Sequence, residues 1–297
     1  MNTAVSVVIV NWNSGSDLSE CLASLARNPP SAAYEVIVVD NGSTDGSVDL
    51  ARAVVGAAQT TYQLNRSNRG LAGANNQGLL RASGEVVVLS NPDVRFRSGA
   101  VDALVQALQR HERAAAVEPK VLLTDGSVQS TAGDLPSLLE GLVGRQAQRR
   151  RGARDGFCWD GWSYDEEVPV GRVGDVCYAV RRRSVAEVGL FDERFPLDWE
   201  GIDWSARAAD LGWEHWFVPS AVVDHRHGGS TRKARRTRWV LQTHHGMYRY
   251  FANRKPYLRP FLAVAFGARA LGKLAIIKLG YPMYERGTGI AARSAAR

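Results

Sequence analysis

Carboxylate, amide and imidazole side chains follow several apolar segments of this sequence, at positions where such groups bind nucleotides and hard cations. Asp40 follows the second apolar segment, Asp93 closes an Asn-Pro-Asp turn after a later one, and His225 follows the last. A carboxylate in the place of Asp40 suits hydrogen bonding to a base N–H or a ribose hydroxyl of a nucleoside. Mg²⁺ and Mn²⁺ prefer one or two carboxylates together with phosphate oxygens, so Asp93 is a candidate metal ligand. His225 offers an imidazole that completes such a site.

Each of these residues also has a structural interpretation. Asp40 can cap a helix together with Ser43, Asn-Pro-Asp is a common turn sequence, and an isolated histidine is more often structural than a ligand. The prediction of a ligand cleft therefore depends on several such residues meeting at one edge of the fold.

The acidic stretch "PLDWEGIDW" is the second candidate for chemistry. It holds carboxylates at Asp198, Glu200 and Asp203 beside two tryptophans. Taken alone, the stretch is typical of an acidic helix start, in which Asp203 would pair with Arg207 four residues later.

The elements that must position these residues alternate between strands and helices in the first half of the chain. Apolar runs rich in β-branched residues predict strands at Val5–Val10, Glu35–Val39, Thr60–Leu64 and Val86–Leu89, with helices between them. Continuous apolar strands separated by helices indicate an α/β fold with a largely parallel sheet covered on both faces. Ligands bind such sheets at the carboxyl ends of the strands. The polar turns that contain Asn11, Asn13, Asp40, Asn91 and Asp93 are expected to meet there.

The second half is less regular. Residues 126–172 are expected to form loops over the cleft. The remaining predicted elements are a strand at Val173–Val180, helices at Ser184–Gly189 and Trp204–Leu211, and short strands at Glu214–Val218 and Ala221–Val223.

Composition and motifs narrow the class of protein. The 297 residues carry a formal charge of +7 and three cysteines without a C-x-x-C spacing. No G-x-G-x-x-G follows the first strand and no G-K-[ST] occurs, so dinucleotide oxidoreductases and P-loop enzymes are not favoured. Zinc-finger and helix-turn-helix spacings are missing too, so we expect no nucleic-acid partner in spite of the arginine runs. The few cysteines and the lack of a signal segment predict a cytoplasmic chain.

The C-terminal segment Tyr257–Leu279 is apolar but is interrupted by four basic residues on one half of a helical wheel: Arg259, Arg269, Lys273 and Lys278. It lacks the uninterrupted ~20 apolar residues of a membrane-spanning helix. Two interpretations remain open, a basic amphipathic helix on the anionic inner face of the cell membrane or a helix packed on the protein core or on a partner.

Six segments taken together carry a family resemblance. They are "VSVVIVNWNSGSDLSECLASL", "YEVIVVDNGSTDGS", "NRGLAGANNQG", "GEVVVLSNPDV", "RRRSVAEVGLFDERF" and "VDHRHGGS", in this order over about residues 4–250. The combination resembles glycosyltransferase family two, and in particular its bacterial rhamnosyl- and galactofuranosyltransferase-like members. The resemblance implies a GT-A fold, a nucleotide-diphosphate sugar donor, Mg²⁺ or Mn²⁺, inversion at the anomeric carbon, and a glycan or polyprenyl-diphosphate-linked acceptor.

The resemblance also implies roles for individual residues. Asp40 matches the family's base- and ribose-binding acid, with Asn11 and Asn13 beside it, and Asn76 matches the helix that closes over the nucleoside. Asp93 matches the last acid of the metal-binding D-x-D motif, whose first acid is replaced by Asn91, and His225 matches a late histidine on the metal. The predicted organisation is a nucleotide-sugar-binding half (1–125), an acceptor-binding and catalytic half of the same domain (126–230) and a C-terminal helical extension (231–297), for which membrane contact is one of the two interpretations given above.

One departure from the family pattern concerns the catalytic base. Family members place it in an acidic pair, and here Glu200 takes the first place while Gly201 takes the second. Glu200 is the favoured substitute, Asp198 is an alternative, and Asp203 is the later acid of the motif. A third alternative is a protein that binds a donor without transferring it efficiently. Trp199 and Trp159 are predicted to offer flat apolar faces to the sugar of the acceptor, with core packing as the alternative.

Overall fold

The computed structural model describes residues 5–54, 60–143, 157–159, 162–195, 199–226 and 234–279, with only the backbone described for Val54 and residues 234–236. Its first half contains β1 (Val5–Asn11), α1 (Asp17–Arg27), β2 (Tyr34–Asp40), α2 (Ser47–Val54), β3 (Thr60–Leu64), α3 (Gly70–Arg81) and β4 (Val86–Ser90). The four strands are parallel in the order β3-β2-β1-β4. β1 and β4 are buried along their whole length, as their continuous apolar sequences predict.

The second half adds strands to the same sheet. It contains β5 (Val94–Phe96), α4 (Ala100–Arg110), β6 (Ala114–Leu123), α5 (Leu138–Val143), β7 (Val168–Val170), β8 (Cys177–Arg181), α6 (Arg182–Val188), α7 (Glu200–Asp210) and β9 (Glu214–His225). The sheet continues from β4 in the order β8-β6-β9-β5, and β7 pairs with β9. Because β8 is antiparallel to both of its neighbours, the complete sheet is mixed.

The elements of this half differ from the sequence predictions in number and extent. The strand predicted at Val173–Val180 is β8, which begins only at Cys177, and β5, β7 and α5 were not predicted. The strands predicted at Glu214–Val218 and Ala221–Val223 are one strand, β9, which pairs with β6 over its length and shifts register between Pro119 and Lys120. The partner strand β6 was not predicted, because its start is a run of alanines, a residue of low strand propensity.

Strand pairing explains how residues distant in sequence reach one edge of the sheet. The start of β8 lies opposite the end of β4, with Cys177 beside Ser90. β5 pairs with β9 so that Val94 lies opposite His225. The residues that flank these pairs, at 91–93 and before 177, therefore lie close together.

The last described part of the chain is a helical pair. α8 (Ala234–Arg254) is joined by a 3₁₀ turn to α9 (Arg259–Lys278). One apolar cluster joins the pair to the domain through Tyr250, Phe266 and Trp199. The segment Pro256–Lys278 is long and apolar enough to cross a membrane, with mean hydropathy 1.6, and 17% of its most apolar window is buried.

Candidate active site

The ends of β1 and β2 are joined by a buried polar network. Asn11 is fully buried, and its Nδ2 donates to Asp40 Oδ1 at 2.8 Å and to Ser47 Oγ at 2.9 Å. Asp40 Oδ2 accepts the backbone N–H groups of Gly42 (3.1 Å) and Ser43 (3.0 Å). Asp40 therefore holds the turn after β2 with both of its oxygens and does not cap α2, which begins at Ser47. Its predicted contact with a nucleoside stays a prediction.

Asn13 and Asn41 extend this network to either side. Asn13 has a left-handed backbone (φ 49°), and its Oδ1 accepts the Thr44 N–H at 2.8 Å. Asn41, which sequence analysis did not single out, is buried and its Nδ2 donates to the Gly70 carbonyl at the start of α3, at 3.1 Å. Hydrogen bonds thus join the turns after β1 and β2 to the start of α3.

Asn76 has a structural role in place of the predicted nucleotide contact. Its Nδ2 donates to the Phe191 carbonyl at 2.9 Å, and its Oδ1 accepts the Phe191 N–H at 2.9 Å. Buried amides need such partners, and Asn76 is only 4% exposed. The side chain fixes the segment before α7 to α3.

Asp93 and His225, the two predicted metal ligands, lie in contact with each other. His225 Nε2 lies 3.2 Å from Asp93 Oδ2, and its Nδ1 lies 2.7 Å from Gln129 Oε1. When Gln129 accepts the Nδ1 proton, the Nε2 lone pair of a neutral imidazole faces the carboxylate, and a cation between them would satisfy both. Within the described ranges no group of three or more acidic, histidine or cysteine side chains could hold a metal. A cation held by this pair would take its other ligands from a bound diphosphate and water.

A pocket opens beside this pair at the end of β4. Its polar lining includes Ser90, Asn91, Asp175, Glu200 and Gly201. The Asn91 N–H donates to the Val176 carbonyl at 2.9 Å, which ties the Asn-Pro-Asp turn to the segment before β8. Asp175 is a pocket residue that sequence analysis missed, because nothing in its local sequence distinguishes it from a turn aspartate.

Two carboxylates of the acidic stretch, Glu200 and Asp203, have different surroundings. Glu200 is the first residue of α7, lines the pocket and is 2% exposed. Asp203 accepts from Arg207 Nε at 2.8 Å, which confirms the predicted i+4 pair. Burial raises the pKa of Asp203, and Arg207 opposes that rise. Asp198 lies outside the described residues.

Burial shifts the pKa values of two side chains in this region, Tyr178 of the pocket lining and Glu118. Burial raises the pKa of Tyr178 well above its usual value, and the nearby charges of Asp175 and Glu200 add to the rise. Burial also raises the pKa of Glu118 to about 7, although its Oε2 accepts the Gly174 N–H at 2.7 Å. Burial therefore favours the neutral form of both side chains.

The raised pKa of Glu118 predicts a pH-dependent stability. Between pH 4.5 and about 7 the unfolded chain releases this proton and the folded chain keeps it, so the free energy of unfolding falls as pH rises. Glutamine has no proton to release. We expect urea unfolding of Glu118→Gln to lose this part of the fall between pH 5 and 8. Glu214→Gln, at an exposed carboxylate, is the control, and equal falls in wild type and Glu118→Gln would contradict the assignment.

The two tryptophans predicted to bind the acceptor lie in the core instead. Trp199 is 3% exposed, packs near Tyr250 and lies where a side chain on Gly246 of α8 would project. Trp159 is 5% exposed and packs edge-on against Trp162. Their ring faces are covered by other side chains, so the core-packing alternative describes both.

Sequence comparison gives this geometry a family context. Residues 6–153 match the family described as Glycosyl transferase family 2. The chain is 33% identical over 254 residues to the N-acetylglucosaminyl-diphospho-decaprenol L-rhamnosyltransferase of Mycobacterium tuberculosis, covering 78% of either protein. It is also 29% identical over 113 residues to glycosyltransferase GlyG of Streptococcus pneumoniae, which is 38% of this chain and 37% of GlyG.

Solved structures share the fold. GalNAc-T7 with UDP, GalNAc and Mn²⁺ superposes with a TM-score of 0.59 at 16% identity, over 96% of this chain, which spans 59% of that one. The mannosyltransferase PcManGT of Pyrobaculum calidifontis, in complex with GDP-Man and Mn²⁺, gives a TM-score of 0.57 at 18% identity, over 95% of this chain and 77% of the other. The fold is GT-A. With the sequence match and the extended identity to a rhamnosyltransferase, the chain belongs to glycosyl transferase family 2 and is a glycosyltransferase.

Proposed function

We propose that this glycosyltransferase moves a sugar, with inversion, from a nucleotide-diphosphate sugar to a polyprenyl-diphosphate-linked glycan of the cell envelope. The observation that carries the proposal is the contact of Asp93 with His225, 3.2 Å apart, beside an acid-lined pocket at the strand ends. The relative from Mycobacterium tuberculosis supports L-rhamnose as the sugar and N-acetylglucosaminyl-diphospho-polyprenol as the acceptor.

The donor would lie along the strand ends with its diphosphate near Asp93 and His225. Bound Mg²⁺ or Mn²⁺ would neutralise the charge that develops on the leaving diphosphate. Asp93 and His225 would hold the cation, and the buried turns at Asp40 and Asn41 would fix the backbone that faces the nucleoside. Structures of fold relatives contain UDP or GDP-Man with Mn²⁺, which supports this class of ligand.

The acceptor hydroxyl must lose its proton as its oxygen attacks the anomeric carbon. A carboxylate of the pocket is suited to accept it, and Glu200 is the residue that the sequence favours for this role. Asp203 is occupied by Arg207 and has a positioning role, holding α7 to the preceding segment through that arginine.

A second candidate function is that of a sugar-nucleotide-binding protein with impaired transfer. Gly201 favours it, because this glycine stands where family members carry the second acid of the pair. The two candidates differ in one result: both predict donor binding, and only the first predicts a glycosylated product.

Donor binding is tested by thermal unfolding of the purified full chain with a panel of nucleotide-diphosphate sugars and Mn²⁺. A bound donor raises Tm by mass action, by an amount equivalent to about 2.7 kcal/mol at a concentration 100 times Kd. We expect a shift that needs both Mn²⁺ and the diphosphate. The same Tm with every donor, with and without Mn²⁺, would contradict both candidate functions.

We also propose that α9 contacts the anionic inner face of the cell membrane. Four large apolar side chains of α9 are exposed, Phe261 (55%), Val264 (73%), Leu271 (68%) and Ile276 (44%), while Leu262 and Phe266 are buried against the domain. An exposed apolar face of this kind is a binding surface in most proteins. A lipid-linked acceptor, as in the rhamnosyltransferase relative, supports a bilayer as its partner.

Vesicle sedimentation tests the membrane contact. We expect Val264→Asp with Leu271→Asp to weaken binding to phosphatidylglycerol-containing vesicles more than about tenfold, since each buried leucine-sized side chain contributes roughly 1.5–3 kcal/mol. Leu80→Asp, at a leucine of α3 that is 71% exposed, is the matched control and should bind as wild type does. Equal binding by all three proteins would exclude this face as the contact.

A further inference from the structure

A glycine and an acid lie side by side in the lining of the pocket. Gly201 is the second residue of α7, and a Cβ atom built on it would lie 2.8 Å from Asp175 Oδ1. Both residues line the pocket that Asn91 also lines. The carboxylate of Asp175 therefore lies where a side chain at position 201 would begin.

The topology explains how Asp175 reaches this place. It precedes β8, whose first residue, Cys177, lies opposite Ser90 at the end of β4. The Val176 carbonyl accepts the Asn91 N–H, and the Gly174 N–H donates to Glu118. Hydrogen bonds on either side thus hold Asp175 at the edge where Asp93 and His225 meet.

The other acids of the region are placed less well for contact with an acceptor. Asp203 is 7% exposed and bound to Arg207, and Glu200 is 2% exposed. Asp175 is half-buried and lines the pocket, so it is the most exposed acid of the three on the side from which an acceptor arrives.

We propose that Asp175 is the catalytic base of the sugar transfer and that it substitutes, from another strand, for the acid that Gly201 lacks. The proposal rests on the transferase activity proposed above. The acceptor oxygen forms a bond to the anomeric carbon, and the bond from that carbon to the diphosphate oxygen breaks, with its electron pair leaving on the diphosphate. The acceptor proton passes to a carboxylate oxygen of Asp175. Glu200, beside it, is then a positioning residue rather than the base.

The proposal is tested by removing the acid at position 175 and by placing an acid at position 201 instead. Transfer is measured with uridine and thymidine diphosphate L-rhamnose as donors and N-acetylglucosaminyl-diphospho-polyprenol as acceptor. We expect Asp175→Asn to lower kcat about 100-fold or more, with donor Kd and Tm unchanged. Asp175→Gly should lose activity equally, and adding Gly201→Asp to it should restore kcat about tenfold or more. Asp49→Asn, at an exposed acid of α2, is the control for purification and charge.

The outcomes separate this proposal from the one on which it rests. Wild-type kcat in Asp175→Asn, or no recovery when Gly201→Asp is added to Asp175→Gly, would overturn the assignment of the base. If Asp175→Asn does not fold, the recovery measured in the Asp175→Gly background decides alone. A wild-type protein that binds the donors and transfers nothing would refute the transferase activity, and the base with it.

Discussion

Asp93→Asn is expected to lower kcat/KM for sugar transfer at least about 100-fold, because it removes the one carboxylate of the proposed cation site. The fold should survive, since the change is isosteric and the Asp93 side chain is 21% exposed. The affinity for a nucleotide diphosphate in the presence of Mn²⁺, measured by calorimetry, should fall in parallel. Affinity measured without Mn²⁺ should stay the same.

The matched control is Asp224, the acid of β9 that precedes His225. Asp224 bonds to Arg97 at 2.6 Å on the surface and does not face His225 across the site. We expect Asp224→Asn to keep wild-type transfer and to change stability by less than about 1 kcal/mol. Equal losses of transfer in Asp93→Asn and Asp224→Asn would show that transfer depends on the net charge of this sheet edge and not on a metal ligand at position 93.

Gly78→Ala is expected to destabilise the fold by roughly 1–3 kcal/mol, against the usual preference of helices for alanine. Its Cβ would lie 2.2 Å from Cγ1 of Val8, which is fully buried in β1 and cannot move aside. The glycine therefore sets how closely α3 packs on the sheet and, through Asn41, how the turn after β2 is held. Urea unfolding measures the effect.

A helical glycine without neighbours provides the comparison. A Cβ on Gly267 of α9 would meet nothing within 4 Å, so Gly267→Ala should be neutral or stabilise by up to about 1 kcal/mol. Val8→Ala combined with Gly78→Ala should cost less than the sum of the single changes. Equal stability of Gly78→Ala and Gly267→Ala would mean that α3 moves freely away from β1.

The parts of the site that local sequence patterns determine could be predicted. Continuous β-branched runs predicted β1 to β4, and their polar ends meet at one edge, as parallel strands require. Asp93 and His225 were predicted as a pair, and the β5–β9 register brings them together. Arg207 was predicted as the partner of Asp203, because i+4 spacing is a local property.

The remaining parts depend on long-range packing that local sequence does not encode. Asp175 reaches the pocket only because β8 inserts antiparallel between β4 and β6. Asn76 was expected to face a nucleotide, and its amide instead satisfies the backbone of Phe191, 115 residues away. The aromatic faces of Trp159 and Trp199 suit a sugar or a core equally well. Only long-range packing decides between them, through α8 for Trp199 and through Tyr164 and Phe217 for Trp159.

The most direct test of the account is the product of a single reaction. The purified full chain is incubated with N-acetylglucosaminyl-diphospho-polyprenol, a nucleotide-diphosphate L-rhamnose and Mn²⁺, and the lipid product is analysed by mass spectrometry and by NMR of its anomeric proton. The account predicts a lipid that carries one added rhamnosyl unit, with anomeric configuration opposite to that of the donor. An unmodified lipid recovered under conditions where the donor is bound, or a product that retains the donor configuration, would contradict it.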